Sequence, residues 1–83
     1  MLVGMVVGTI VSTRKNDQLV GSKFLEVQVY EAGKPTSRHV VAIDSVGAGI
    51  GEKVLIVSGS GARVAAGSRD IPVDMVIVGI VDE

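Results

Sequence analysis

Hydrophobic and polar residues alternate most cleanly between Lys23 and Tyr30, where Leu25, Val27 and Val29 fall on one side and Glu26 and Gln28 on the other. A period of two marks a strand with one buried and one wetted face. A first strand is predicted over about Leu2 to Thr13, ended by the polar run Arg14-Lys15-Asn16-Asp17 and followed by a loop through Gly21. Glu31-Ala32-Gly33-Lys34-Pro35 carries turn chemistry, with Gly33 free to take a positive φ and Pro35 lacking a ladder donor, so a hairpin leads to a third strand over about Arg38 to Ile43. A fourth strand spans Lys53 to Val57 and is broken by Ser58-Gly59-Ser60-Gly61. Ala62 to Ala66 is the one helical candidate, a turn or two capped by Ser60 and stopped by Gly67. Pro72 restricts Ile71, and the last strand runs from about Asp74 or Met75 to Val81. The pattern contains no internal repeat.

Three of these strands are apolar on both faces. Val3, Met5, Val7 and Val11 share one side of the first, while Leu2, Val6 and Ile10 share the other with Gly4 and Gly8. Val54 to Val57 and Met75 to Val81 behave in the same way. Antiparallel sheets normally leave one face solvated, a five-stranded barrel has a single interior, and so short a helix covers little. Apolar surface of this extent marks an interaction site. The chain is therefore expected to self-associate as a closed ring or a dimer, with Val7, Val11, Ile77, Val78 and Ile80 as apolar contact residues.

Composition supports the strands. Seventeen valines and seven isoleucines stand beside only two aromatics, Phe24 and Tyr30, and β-branched side chains fit a pleated sheet. Eleven glycines suit the turns and bulges of short strands closing into a barrel. At 83 residues the chain is read as one domain, 1–83, all-β, a small five-stranded barrel with one short helix. The net charge is −1 with both signs interspersed, so neither a nucleic-acid patch nor a membrane patch is expected. The absence of cysteine excludes disulfides and is compatible with a reducing cytoplasm. The apolar start is shorter than the roughly 20 residues of a membrane span, and no basic residue precedes it as in a signal peptide.

Candidate chemistry is sparse. His39 is the only histidine and is read as a strand-edge residue, since metal sites and nucleophile systems need several such groups. Asp44, Glu52, Asp70 and Asp74 sit beside turns, where carboxylates usually accept backbone hydrogen bonds. No catalytic residue, metal or cofactor is expected. Gly47-x-Gly49-x-Gly51 has the wrong spacing and context for a dinucleotide loop, because Glu52 leads into a strand. It reads either as a tight connection or as a place where neighbouring backbones or a ring axis approach. Ser58-Gly59-Ser60-Gly61-Ala62-Arg63 is a turn and cap, an anion-binding nest, or a segment from which Arg63 reaches a carboxylate or carbonyl of another subunit. The five-stranded outline also matches oligonucleotide-binding barrels, which stack bases on aromatics in a basic groove. The alternative function is thus a barrel binding a small anionic ligand or single-stranded nucleic acid.

Four segments together resemble the EutN/CcmL family of bacterial microcompartment vertex proteins. They are Val6-Val7-Gly8-Thr9-Ile10-Val11-Ser12-Thr13-Arg14-Lys15, Asp44-Ser45-Val46-Gly47-Ala48-Gly49-Ile50-Gly51-Glu52, Ser58-Gly59-Ser60-Gly61-Ala62-Arg63 and Ile77-Val78-Gly79-Ile80-Val81-Asp82, with Leu19-Val20-Gly21 also similar. Gly61 departs from the serine common in the family, and the sequence lacks the longer C-terminal extension of some members. The resemblance implies an oligonucleotide-binding-like barrel assembled as a homopentamer at the corners of a cytoplasmic shell, of carboxysome or metabolosome type, otherwise tiled by hexameric and pseudohexameric proteins. It also implies that Asp44, Ser45, Val46, Gly47, Ala48, Gly49 and Gly51, with Ser58, Gly59, Ser60, Gly61, Ala62 and Arg63, are subunit-contact or axis-proximal residues.

Overall fold

The computed structural model describes residues 1–11, 21, 23–65 and 74–82. Five strands, β1 (Leu2–Ile10), β2 (Phe24–Glu31), β3 (Lys34–Asp44), β4 (Lys53–Ser58) and β5 (Met75–Ile80), close a barrel in the order β1-β2-β3-β5-β4. Among the described residues a single helix, α1 (Gly59–Ala65), joins the series after β4. All pairings are antiparallel except that of β3 with β5, which is parallel and limited to Ile43↔Val76 and Asp44↔Ile77.

Strand boundaries differ from the sequence reading where turn chemistry spans fewer residues than its composition suggests. β3 begins at Lys34, not near Arg38, because Ala32 and Gly33 alone make the turn, with φ of 51° and 77°. Positive φ at both positions is the two-residue hairpin geometry that matches strand twist. Pro35 consequently sits inside β3, opposite Tyr30. The helix begins at Gly59, earlier than Ala62, and Val11 lies beyond the end of β1. Thr13, Ala66, Gly67, Asp70, Ile71 and Pro72 fall outside the described residues.

The interior is built from residues at alternate positions: Val6 from β1, Leu25 and Val27 from β2, Ala42 from β3, Val54 and Ile56 from β4 and Ile77 from β5, with Ala48 entering from the β3–β4 connection. A second, smaller cluster lies on the outer face. Cross-strand pairs set Ile10, Phe24, Ile43, Val76 and Val57 side by side in one lateral row, and Ala62 of α1 is fully buried with Ile43 and Val76. The helix therefore covers Ile43 and Val76 of the second apolar face, while Phe24, Val57 and Val78 are partly buried and Ile10 stays 37% exposed.

Two bulges break the period of two on strands whose sequences look regular. Val6 pairs with Val27 and Gly8 with Glu26, so Val7 is an extra residue on β1. Leu55 pairs with Gly79 and Ile56 with Ile77, so Val78 is extra on β5. A bulge switches which residues face the interior. Val7 and Gly8 are thus both outside the core, and Ile10 joins the outer row with Phe24, away from Leu2 and Val6.

Candidate subunit interface

The connection from Asp44 to Glu52 is shaped by bonds within the loop and from the barrel beside it. Asp44, whose side chain is only 4% exposed, accepts the N–H of Val46 at 3.0 Å, and Glu52 accepts the N–H of Gly49 at 2.7 Å through Oε1. The Ser45 hydroxyl donates to the Ile77 carbonyl, and the backbones of Gly51 and Glu52 exchange bonds with Val6 at 2.8 and 3.0 Å. Lys23 Nζ donates to the Ala48 carbonyl at 3.1 Å. Gly47 and Gly51 take φ of 81° and 91°, and a Cβ at either would meet open space. Backbone conformation, not crowding within the subunit, is what requires glycine there.

This architecture sorts the expected contact residues. Ala48 and Ala62 are fully buried in their own subunit, and so is Ile77. Their side chains pack the barrel and its outer cluster, so they present no exposed apolar surface on the single subunit. Val78 is half-buried against the outer cluster. Val7 and Ile80 stay more than a third exposed, and Val11 is almost fully so. Ser45, Gly47, Ser58, Ser60 and Gly61 are exposed, while Gly49 and Gly59 are partly covered. The Arg63 backbone lies in α1, and its side chain falls outside the described residues.

Ile50 is the residue that sequence reasoning missed, at 67% exposed beside Val46 at 40%. It precedes Gly51, whose N–H bonds the Val6 carbonyl. A β-branched apolar residue set among glycines, with no strand to bury it, was the available signal. Val3, Ile10 and Val41 add further exposed apolar surface on β1 and β3.

The alternative chemistries find little to work with. Phe24 packs against the outer cluster, and the Tyr30 hydroxyl contacts Met5 Sδ while Lys53 lies over its ring at 5.5 Å. Neither aromatic forms a free stacking platform of the kind single strands use. His39 Nδ1 is 2.7 Å from Glu26 Oε2 in a cross-strand pair on the barrel exterior. Among the described residues no three metal-ligating side chains come together.

Residues 1–82 match the family described as ethanolamine utilisation protein EutN/carboxysome. The chain belongs to the EutN/CcmL family. It is 51% identical to the carboxysome shell vertex protein CcmL of Gloeobacter violaceus, over 99% of this chain and 83% of that protein. It is 49% identical to the bacterial microcompartment shell vertex protein EutN of Salmonella typhimurium, over 100% of this chain and 85% of the relative. Among solved EutN/CcmL structures, the GrpN pentameric microcompartment shell protein from Rhodospirillum rubrum superposes with a TM-score of 0.90 at 43% identity, covering 100% of this chain and 95% of that one. The closed barrel with one short helix, read first from the alternation pattern, is thus an architecture that EutN/CcmL proteins share.

Proposed function

We propose that this chain is a structural shell protein and not an enzyme: it assembles as a homopentamer that caps the vertices of a bacterial microcompartment shell, of carboxysome or metabolosome type. The observation that carries this reading is near-half identity, over essentially the whole chain, to proteins named as shell vertex proteins. The solved relative described as pentameric supplies the symmetry. Physical support comes from the number of large apolar side chains that the single subunit leaves exposed, Val11, Val46 and Ile50 among them, since exposed apolar surface marks association sites.

Val7, Val11, Ile50, Val46 and Ile80 are the side chains we assign to subunit contacts. Fully burying one Val or Ile stabilises by roughly 1.5 to 3 kcal/mol, so several per interface suffice for a durable ring. The exposed part of the Ser58 to Arg63 segment is assigned to the neighbourhood of the axis, with Arg63 as an intersubunit link. A heterologous contact repeated by rotation closes a ring without a free end. Hexameric and pseudohexameric shell proteins are the proposed neighbours beyond it, since a hexagonal sheet closes on itself only through fivefold corners.

Native mass spectrometry tests the ring, with a fivefold multiple of the subunit mass expected. A stable monomer at micromolar concentration overturns the proposal. Co-expression with a shell hexamer tests the vertex role: closed polyhedra are expected with this chain, and equally closed polyhedra without it sink that part.

A further inference from the structure

We infer that Lys23 is a positioning residue for ring assembly: it holds the Asp44 to Glu52 loop in the shape that presents Val46 and Ile50 to a neighbouring subunit. The inference rests on the proposal that this loop is a subunit contact. Lys23 enters the barrel wall just ahead of β2, far from the loop in sequence, and no motif marks it. Its backbone carbonyl accepts the N–H of Asp44 at 2.9 Å, while its ammonium donates to the Ala48 carbonyl at 3.1 Å and stands 4.0 Å from Asp44 Oδ2.

Ala48 is the pivot of the loop. Its methyl group is buried in the barrel core and its carbonyl is held by Lys23, while Val46 and Ile50, two residues to either side, are raised into solvent. Pinning the middle therefore sets where the two exposed side chains stand. Asp44 adds a second role for the same cation. One oxygen of this almost fully buried carboxylate accepts the Val46 N–H, and the other faces Lys23, whose side chain remains half exposed. The ammonium attracts that second oxygen and helps hold the side chain in the orientation that accepts the Val46 N–H. Losing the ammonium thus weakens both the Ala48 anchor and the Asp44 turn that orients Val46. Preorganised contact residues associate more tightly because less freedom is lost on docking.

The test compares wild type, Lys23→Met and Lys23→Arg by analytical ultracentrifugation across a dilution series, with hydrogen exchange on the same samples. Lys23→Met keeps an unbranched apolar stem and removes only the ammonium. It is expected to need roughly tenfold more protein to form the ring, the scale of one charge-assisted hydrogen bond, with faster exchange at Gly49 and Gly51 and unchanged protection at Val27 and Val54. Lys23→Arg, which retains the cation, is expected to recover most of the assembly. Wild-type assembly in Lys23→Met overturns the inference, as does an equal loss in Lys23→Arg or a loss of protection throughout the barrel. A monomeric wild type instead overturns the ring on which the inference depends, so the two failures are distinguishable.

Discussion

The Thr36 hydroxyl donates a 2.7 Å hydrogen bond to the carbonyl of Val29 and, from the same oxygen, accepts the N–H of Arg38 at 3.2 Å. It bridges the irregular stretch of the β2–β3 seam, where Gln28 pairs with His39 and Tyr30 with Pro35, leaving Val29 opposite Thr36, Ser37 and Arg38. Gln28 Nε2 adds a bond to the Thr36 carbonyl at 2.9 Å. Replacing Thr36 by Val keeps the shape and removes the bridge. A loss of about 1 to 3 kcal/mol is expected, the cost of leaving backbone groups unpaired, and Thr36→Ser is expected to retain most of the stability. Chemical denaturation at one fixed protein concentration checks both, because assembly itself shifts apparent stability.

Gly4 and Gly8 are predicted to differ in their tolerance of alanine. A Cβ at Gly4 would stand 2.4 Å from Val27 Cγ1 and 2.7 Å from the Gln28 carbonyl oxygen, whereas at Gly8 the nearest atom, Glu26 Oε1, is 3.7 Å away. Gly4→Ala must push backbone apart and is expected to cost about 3 kcal/mol, the upper part of the usual overpacking range. Gly8→Ala is expected to leave the subunit's stability within about 1 kcal/mol of wild type. Thermal melting separates them.

Ala32 holds a positive φ of 51° without being glycine. Ala32→Gly removes the steric cost of the left-handed conformation and is expected to stabilise the hairpin by up to about 1 kcal/mol. A lower melting temperature would mean that the alanine methyl group makes a favourable contact outweighing the strain.

Core and contact surface are predicted to separate cleanly at Ile77 and Ile50. Ile77 is fully buried, and Ile77→Ala is expected to cost about 2 to 5 kcal/mol of folding stability. Ile50→Asp and Val7→Asp introduce charge on exposed positions and are expected to release folded monomers from the ring. Circular dichroism with size-exclusion chromatography tells the two behaviours apart, and an intact ring in both aspartate variants means that the contact surface lies elsewhere.

How much of the fold and the contact surface is legible in the sequence depends on how local the determining interaction is. The alternation from Leu25 to Val29 places β2 almost to the residue, and strands apolar on both faces show that the barrel interior cannot absorb every apolar side chain. Val7 and Val78 mark where that reading fails. An inserted residue reverses the facing of every later residue in its strand, and nothing in a run of Val, Ile and Gly announces which residue is extra. Ile77 lies in a strand apolar on both faces, so alternation alone does not say that it is the residue turned to the core. Pro35 misleads in another way: its chemistry suits a turn although Ala32 and Gly33 suffice, which shortens the β3 expected from sequence. Lys23 carries no local signal at all, because its partners Asp44 and Ala48 are brought to it only by barrel closure.

The pairing of β1 with β4 has a consequence for the newborn chain. Leu2 and Met5 are synthesised long before their partners on this side, Ile56 and Lys53. Closure of the barrel also waits for β5, which must slot in parallel beside the end of β3 and antiparallel to β4. Topologies dominated by such distant pairings fold on a scale of roughly milliseconds to seconds. Until β4 arrives, β1 has β2 alone beside it and presents an unpaired apolar edge, the kind of transient exposure that invites association before folding is complete.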